Sequence, residues 1–298
     1  MNDLIRAIRN WHKKSLLVVC LSAIIPVMGC AVLPARLAAP LIPNMMESFF
    51  SECDTEIARQ ALPSQLKLME GLLKGDPLNR DILKALSSGY AGYALLFAED
   101  DSPERASALY LRAKDYGLRS LGDLGERLKT GEGGADSVRQ SLSTAGQAAL
   151  ENLFWTAVAW SGWISTQGDN PEALAQVWLL RLLLERIIAI NSDFFYGAPY
   201  ALLGSLSAAT PPLLGGDPSR AREAFERAME LSSGRFFLIQ YFYARHGAVR
   251  FQDRALFVKL LESIARSDEA DLRQMCLINR VFKAKAARLR IMEDELFY

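Results

Sequence analysis

From Asp54 to the C-terminus, apolar residues return every three or four positions, and two-residue alternation is scarce. That period puts one continuous apolar stripe on a helix and predicts an all-α body. Four of the expected helix starts share one device: Asp76-Pro77, Ser102-Pro103, Asn170-Pro171 and Asp217-Pro218. In each, a short polar side chain can accept from first-turn amides, and the proline occupies a position whose amide would be unpaired anyway. Glu104 and Glu172 follow in the first turn, where the helix dipole favours a negative charge. Glycine-rich breaks at 131–134 and 215–216 separate elements. The pattern predicts helices near 54–74, 78–98, 103–129, 137–166, 171–190, 197–208, 218–232, 235–249, 253–266 and 270–295.

Two of these segments repeat in spacing as well as in character. Ala106-x3-Tyr110-x2-Ala113 and Ala221-x3-Phe225-x2-Ala228 are the A-x3-aromatic-x2-A core of the second helix of a tetratricopeptide repeat. Small alanines let helices approach, and the aromatic fills the gap between pairs. Leu86-x3-Tyr90 has the first-helix pattern of the same repeat. The Ser102 and Asn170 starts lie 68 residues apart, two periods of about 34 residues. Other intervals miss that period. The expectation is therefore a superhelical stack of antiparallel helix pairs made of degenerate tetratricopeptide-like repeats, over 54–298.

The first residues follow another pattern. Arg6, Arg9, Lys13 and Lys14 stand against Asp3 alone, and an uncharged run from Ser15 to Gly29 follows. A basic flank before an apolar run is an export signal, assigned to 1–29. The run ends Val27-Met28-Gly29-Cys30, which resembles the bacterial lipobox, with Cys30 as the lipid-attachment residue. An uncleaved anchor is the competing reading, because residues 16–33 carry no charge and just reach the length of a spanning helix. Pro26 and Gly29 sit badly in such a helix. Both readings leave the basic flank in the cytoplasm and the body outside. Residues 30–53 are expected to be a tether, with Pro34, Pro40 and Pro43 in it. Ala31 after the cysteine, rather than Asp, leans toward the outer membrane.

Charge and composition narrow the function classes. Half of the residues are hydrophobic and the formal net charge is zero. The leader holds +3 of it, so the body is mildly acidic, which argues against a nucleic-acid surface. With His12 in the leader, His246 is the one histidine of the body, too few for a histidine-based metal site or a complete triad. A satisfied interior or boundary histidine is expected. No phosphate-cradling loop is present, since Gly131 to Gly134 lacks the following Lys-Ser/Thr. No cofactor, metal or catalytic residue is assigned. Glu99-Asp100-Asp101 is the densest acidic cluster, expected as a solvated loop. Glu151 and Asp193 are isolated acids near aromatics, and a carboxylate hydrolase or lyase would have to use such a residue. Cys53 and Cys276 could bridge in an oxidising compartment, but two separately buried thiols are expected.

The aromatics point to a groove. Trp155, Trp160 and Trp163 fall within an arc of about 140° at about 100° per residue. Tyr196 and Tyr200 cluster with Phe194 and Phe195 at the next helix entrance. Core packing explains most such residues; the functional reading is a ligand groove lined by these five rings.

Four strings, taken in order, then carry a resemblance. They are Leu111-Arg112 through Asp115-Tyr116-Gly117-Leu118; Trp155-Thr156-Ala157 leading to Trp160-Ser161-Gly162-Trp163-Ile164-Ser165; Leu214-Gly215-Gly216-Asp217-Pro218 running into Ala221 to Ala228; and Gln252-Asp253-Arg254 with Leu256-Phe257 and Leu260-Leu261. The pattern resembles the T-component of tetratricopeptide-associated TRAP transporters, the TatT family, from about residue 54 onward. The resemblance implies a periplasmic helical lipoprotein, often a homotrimer. It would partner a TRAP-type periplasmic substrate-binding protein and hold or pass a small hydrophobic or organic-acid ligand. A general scaffold lipoprotein of the envelope is the alternative without a transport link.

Overall fold

The computed structural model describes residues 39–297, apart from Asp169. The export signal and Cys30 lie outside the described residues. Helices joined by turns and irregular connections make up the described residues, with no strand among them.

The N-terminal segment corrects the tether reading. Helix α1, Ile42–Ser51, forms inside the stretch expected to be a tether. Pro43 sits in its first turn, where a proline costs nothing. Ile42 is buried, and Met45, Met46, Phe49 and Phe50 pack against the core. The helix forms because this apolar face has somewhere to go. Just beyond it, Cys53 is disulfide-bonded to Cys276, with the Cα atoms 5.2 Å apart. The two thiols expected to be separate are a pair, joining positions 223 residues apart in sequence.

Helices α2, Thr55–Gly75, and α3, Arg80–Tyr93, follow. Asp54 caps α2 through its carboxylate, which accepts from the amides of Glu56 and Ile57. The cap of α3 is Asn79, whose side chain accepts from the Ile82 amide, and not Asp76. Residues 76–79 first make a turn, closed by the Asn79 amide donating to the Asp76 carbonyl at 3.1 Å. The remaining Pro-type starts fall where expected, at α4 (Pro103–Ser120), α8 (Pro171–Leu174) and α11 (Pro218–Ser232). Asn170 and Asp217 cap with their side chains, whereas Ser102 makes no such bond.

Several expected long helices are divided, 270–295 among them, which holds Cys276–Ile291 and Glu293–Leu296. The 103–129 span breaks into α4 and α5, Asp123–Thr130, at Gly122, whose φ of 60° favours glycine. The 137–166 span becomes α6, Gly134–Ser143, and α7, Leu150–Gln167. The 171–190 span becomes α8 and α9, Val177–Ile190. Then come α10, Ala198–Ala209; α12, Phe237–Phe242; α13, Arg254–Arg266; α14, Cys276–Ile291; and the short α15, Glu293–Leu296. Helix α3 continues into a π-helical turn over Ala94–Ala98, and α12 into another over Tyr243–Ala248.

Packing runs mostly between helices close in sequence: α2 on α3, α3 on α4, α4 and α3 on α7, α7 on α9, α9 on α10 and α10 on α11. The two A-x3-aromatic-x2-A motifs sit at such contacts. Ala106, Ala113, Ala221 and Ala228 have no solvent exposure. Each aromatic fills a notch left by glycine. A Cβ on Gly162 would lie 2.3 Å from the Tyr110 ring, and one on Gly204 or Gly247 would lie 3.0 Å from the Phe225 ring. Phe225 also stacks on Tyr243, with centroids 4.7 Å apart. Close approach of helices at glycine lets a large ring act as the wedge that sets their separation.

Candidate functional site

A partly enclosed cavity of about 400 Å³ lies between α3, α7, α10 and α12, with α1 at one side. Its size falls in the range of small-molecule sites, about 300–1,000 Å³. The cavity exists because facing helices offer small side chains toward one another. Helix α7 contributes Ser161, Gly162 and Ser165, and α10 contributes Ala198, Ser205 and Ala209. Large residues there would fill the space. Around this lining stand Leu95, Leu96, Val158, Leu202, Leu206 and Leu238.

Aromatic rings close one wall. Phe50 stacks on Trp155 with centroids 6.0 Å apart, and Phe195 meets Trp155 edge-on at 5.5 Å. Phe154 lies 5.0 Å from Phe195. Phe195 and Tyr196 hold φ values of 47° and 58°. Such left-handed backbone costs an ordinary residue about 1–3 kcal/mol and persists where surrounding contacts demand it. Here the demand comes from the Phe195 ring, which this backbone aims at Phe50, Phe154 and Trp155.

Of the five rings expected to line a groove, Trp155 lines this cavity. The other four are elsewhere. The Trp160 indole N–H donates to the Gln176 side-chain oxygen at 2.9 Å. The Lys114 ammonium lies 4.9 Å from the Trp160 ring and 4.2 Å from that of Trp163. Burial pushes the Lys114 amine down to about 8; it donates to the Gln176 side-chain oxygen at 2.9 Å, and the two indole faces add to that partnership. Tyr196 accepts from the Gln274 amide at 2.7 Å and packs on Phe236. Tyr200 is half-buried against the core. A 140° arc is too broad for one face: Trp155 looks to the cavity, while Trp160 and Trp163 look toward α4.

The far end of the cavity is polar, and its residues carried no expectation of a site. Glu99 follows the first π turn and points inward, where its carboxylate accepts from the Tyr110 hydroxyl at 2.7 Å. Burial, chiefly, raises its pKa. The acidic cluster is thus not uniformly solvated. Asp100 pairs with Lys285 at 2.9 Å and with Arg288 at 2.8 Å, and the Lys285 side chain is only 3% exposed. Asp101 alone stays at the surface, near Arg59. His246, in the second π turn, and Arg250 line the same cavity. His246 is half-buried, in keeping with the expected boundary position, and its ring makes no hydrogen bond to protein in the described structure. Its ring sits edge-on to Phe242 at 5.2 Å. Burial, and then the charges of Arg245 and Arg250, push the imidazole down to about 3, so it is neutral near pH 7.

The acids that a hydrolase would need are placed otherwise. Glu151 is exposed and bonded to Lys84 at 2.6 Å, and Asp193 is a surface residue bonded to Ser192. Among the lining residues Glu99 is the one carboxylate. Among the described residues no cluster of three or more His, Cys, Asp or Glu is arranged to hold a metal ion. A second, open depression of about 890 Å³ lies along α13 beside Glu293. Four of its charged residues pair with one another, Arg254 with Glu293 and Arg266 with Glu262.

The sequence is similar to an uncharacterized protein of Treponema pallidum (strain Nichols), 24% identical over 268 residues that cover 84% of this chain and 82% of the other. The sequence pattern of the TRAP transporter T-component matches residues 51–297, from the end of α1 through the disulfide to α15. With nearly the whole helical body matched, the chain belongs to the TRAP transporter T-component family.

Proposed function

We propose that this T-component works outside the membrane, held there by a lipid on Cys30. There it engages the periplasmic substrate-binding subunit of its TRAP system and holds a small, largely apolar ligand in the central cavity. The family gives the transport role; the partly enclosed cavity of about 400 Å³ with its aromatic wall supports the ligand part. Phe50, Trp155 and Phe195 give that wall much apolar area with few rotatable bonds. A transport accessory needs reversible binding and no bond chemistry, which accords with a lining that is mostly hydrocarbon. The general scaffold reading would leave this cavity without a task.

Co-purification with the cognate substrate-binding subunit tests the partner. A complex at micromolar concentration, seen by size-exclusion chromatography with light scattering, is expected and would also report whether the assembly holds three copies. Two separate, unshifted peaks at that concentration would remove the partner from this reading.

A further inference from the structure

One wall of the cavity rests on a helix with few holds of its own. Phe50 of α1 lines the cavity, and its ring stacks on Trp155 and meets Phe195 at 5.9 Å. Helix α1 packs on α3, on residues 269–275 and on α14. Of its ten residues only Ile42 is fully buried. Among the described residues its side-chain hydrogen bonds stay within the helix, from Ser51 to the Glu47 and Ser48 carbonyls. Hydrophobic contact and one covalent bond therefore keep this wall in place. Residues 52–54 join α1 to α2, and the Cys53–Cys276 bridge pins that joint to the first residue of α14. The family pattern begins at residue 51, so the part of α1 that reaches the cavity lies ahead of it.

The two cysteines of the bridge are placed unequally. Cys53 is exposed, whereas Cys276 is only 1% exposed. A thiol arriving from solvent therefore meets Cys53 first. Exchange also depends on which sulfur leaves, and the better leaving group is the one whose thiolate is stabilised. Glu52 and Asp54 flank Cys53, and their carboxylates disfavour a negative charge there. Burial alone would disfavour a thiolate at Cys276, but that residue begins a 16-residue helix whose amides and dipole favour one. No side chain caps α14, and no acid stands in its first turn. Access and leaving-group chemistry thus point the same way. Exposed disulfides are the ones most open to such exchange.

We propose that the Cys53–Cys276 bridge is a redox-operated clasp, which a dithiol reductant opens at Cys53 to free α1 and uncover the aromatic wall of the cavity. One thiolate of the reductant attacks Sγ of Cys53. The S–S bond breaks, its electron pair leaves on Sγ of Cys276, and that thiolate takes a proton from water. The second thiolate of the reductant then attacks the reductant's own sulfur in the mixed disulfide. This closes the reductant's disulfide and expels Cys53 as a thiolate, which is protonated in turn. Two electrons have passed from the dithiol to the bridge. With the joint released, α1 swings about residues 52–54 and withdraws Phe50 from Trp155. Phe195 loses its contact with the Phe50 ring at the same time. As control of a ligand the clasp rests on the cavity being a ligand site; its opening needs no ligand.

The test uses the full chain in lipid nanodiscs, without denaturant. Dithiothreitol should reduce the bridge at least about tenfold faster than the protein unfolds in the same buffer, read by mass spectrometry of alkylated Cys53 and Cys276 peptides. With glutathione, a monothiol, the mixed disulfide should sit on Cys53 at least about tenfold more often than on Cys276. Hydroxyl-radical footprinting should then find Trp155 and Phe195 modified at least about threefold faster after reduction, with the buried Trp160 unchanged. Cys276→Ser should give the same footprint with no reductant present. A bridge that is reduced only as the protein unfolds would overturn the clasp, as would glutathione found chiefly on Cys276. So would an unchanged footprint at Trp155 and Phe195, or equal acceleration at Trp160. None of these readouts involves a ligand, so a cavity that binds nothing would overturn the ligand reading and leave the clasp standing.

Discussion

His246 shows how enclosure converts an ordinary side chain into a stability liability with a sign. Its imidazole titrates at about 3 in the folded protein and near 6.5 in an unfolded chain. Because the folded value is the lower one, the unfolded chain takes the proton first as the solution is acidified. The neutral imidazole's contribution is therefore whole above about pH 6.5 and is lost as the pH falls from there toward 3. Between pH 8 and pH 5 the loss should reach at most about 2 kcal/mol. Urea unfolding of the protein and of His246→Gln at both pH values isolates this part from the many carboxylates. The stability gap between the two proteins should move in the variant's favour at pH 5. Parallel behaviour would mean that the imidazole is not kept from its proton.

At the scale of elements, α1 and the disulfide act together. The helix brings Phe50 to the cavity wall, and Cys53, two residues past the helix end, is fixed to the start of α14. Without that bond, α1 is held by Ile42 and the partly buried Met45, Met46, Phe49 and Phe50. Paired Cys53→Ser and Cys276→Ser substitutions should lower stability by about 2–5 kcal/mol, as expected for a bridge closing a long loop. Local opening should be largest at α1, so hydrogen exchange of residues 42–52 should speed up well ahead of that in α7. Uniform acceleration across both helices would show that the bridge supports the whole fold rather than this helix.

For the molecule as a whole, the proposed lipid on Cys30 bears on where the helical body works. Lipid on Cys30 predicts that the mature protein begins at that residue and carries acyl chains measurable by intact mass. Cys30→Ala should then leave the chain unacylated and held, if at all, by its uncleaved leader. A mature mass that retains residues 1–29 in the unaltered protein would favour the anchor reading. Among the described residues no helix is long and apolar enough to cross a membrane.

What the sequence determined by itself is local or repeated. The helical period fixed the all-α body, Asn170 and Asp217 marked their own helix starts, and the A-x3-aromatic-x2-A spacing located two helix contacts around Tyr110 and Phe225. Family membership was legible because it needs only strings in order. Tertiary structure decided the rest. Apolar residues in 42–51 became a helix only because a core was there to receive them. Cys53 and Cys276 are far apart in the chain, so their meeting depended on the path of everything between. The polar end of the cavity draws Glu99, Tyr110, His246 and Arg250 from three stretches of chain. In the sequence Glu99 stands beside Asp100 and Asp101 and reads as solvent-facing. A π turn and a closed space, neither visible in residue order, gave it and His246 the desolvated surroundings that set their chemistry.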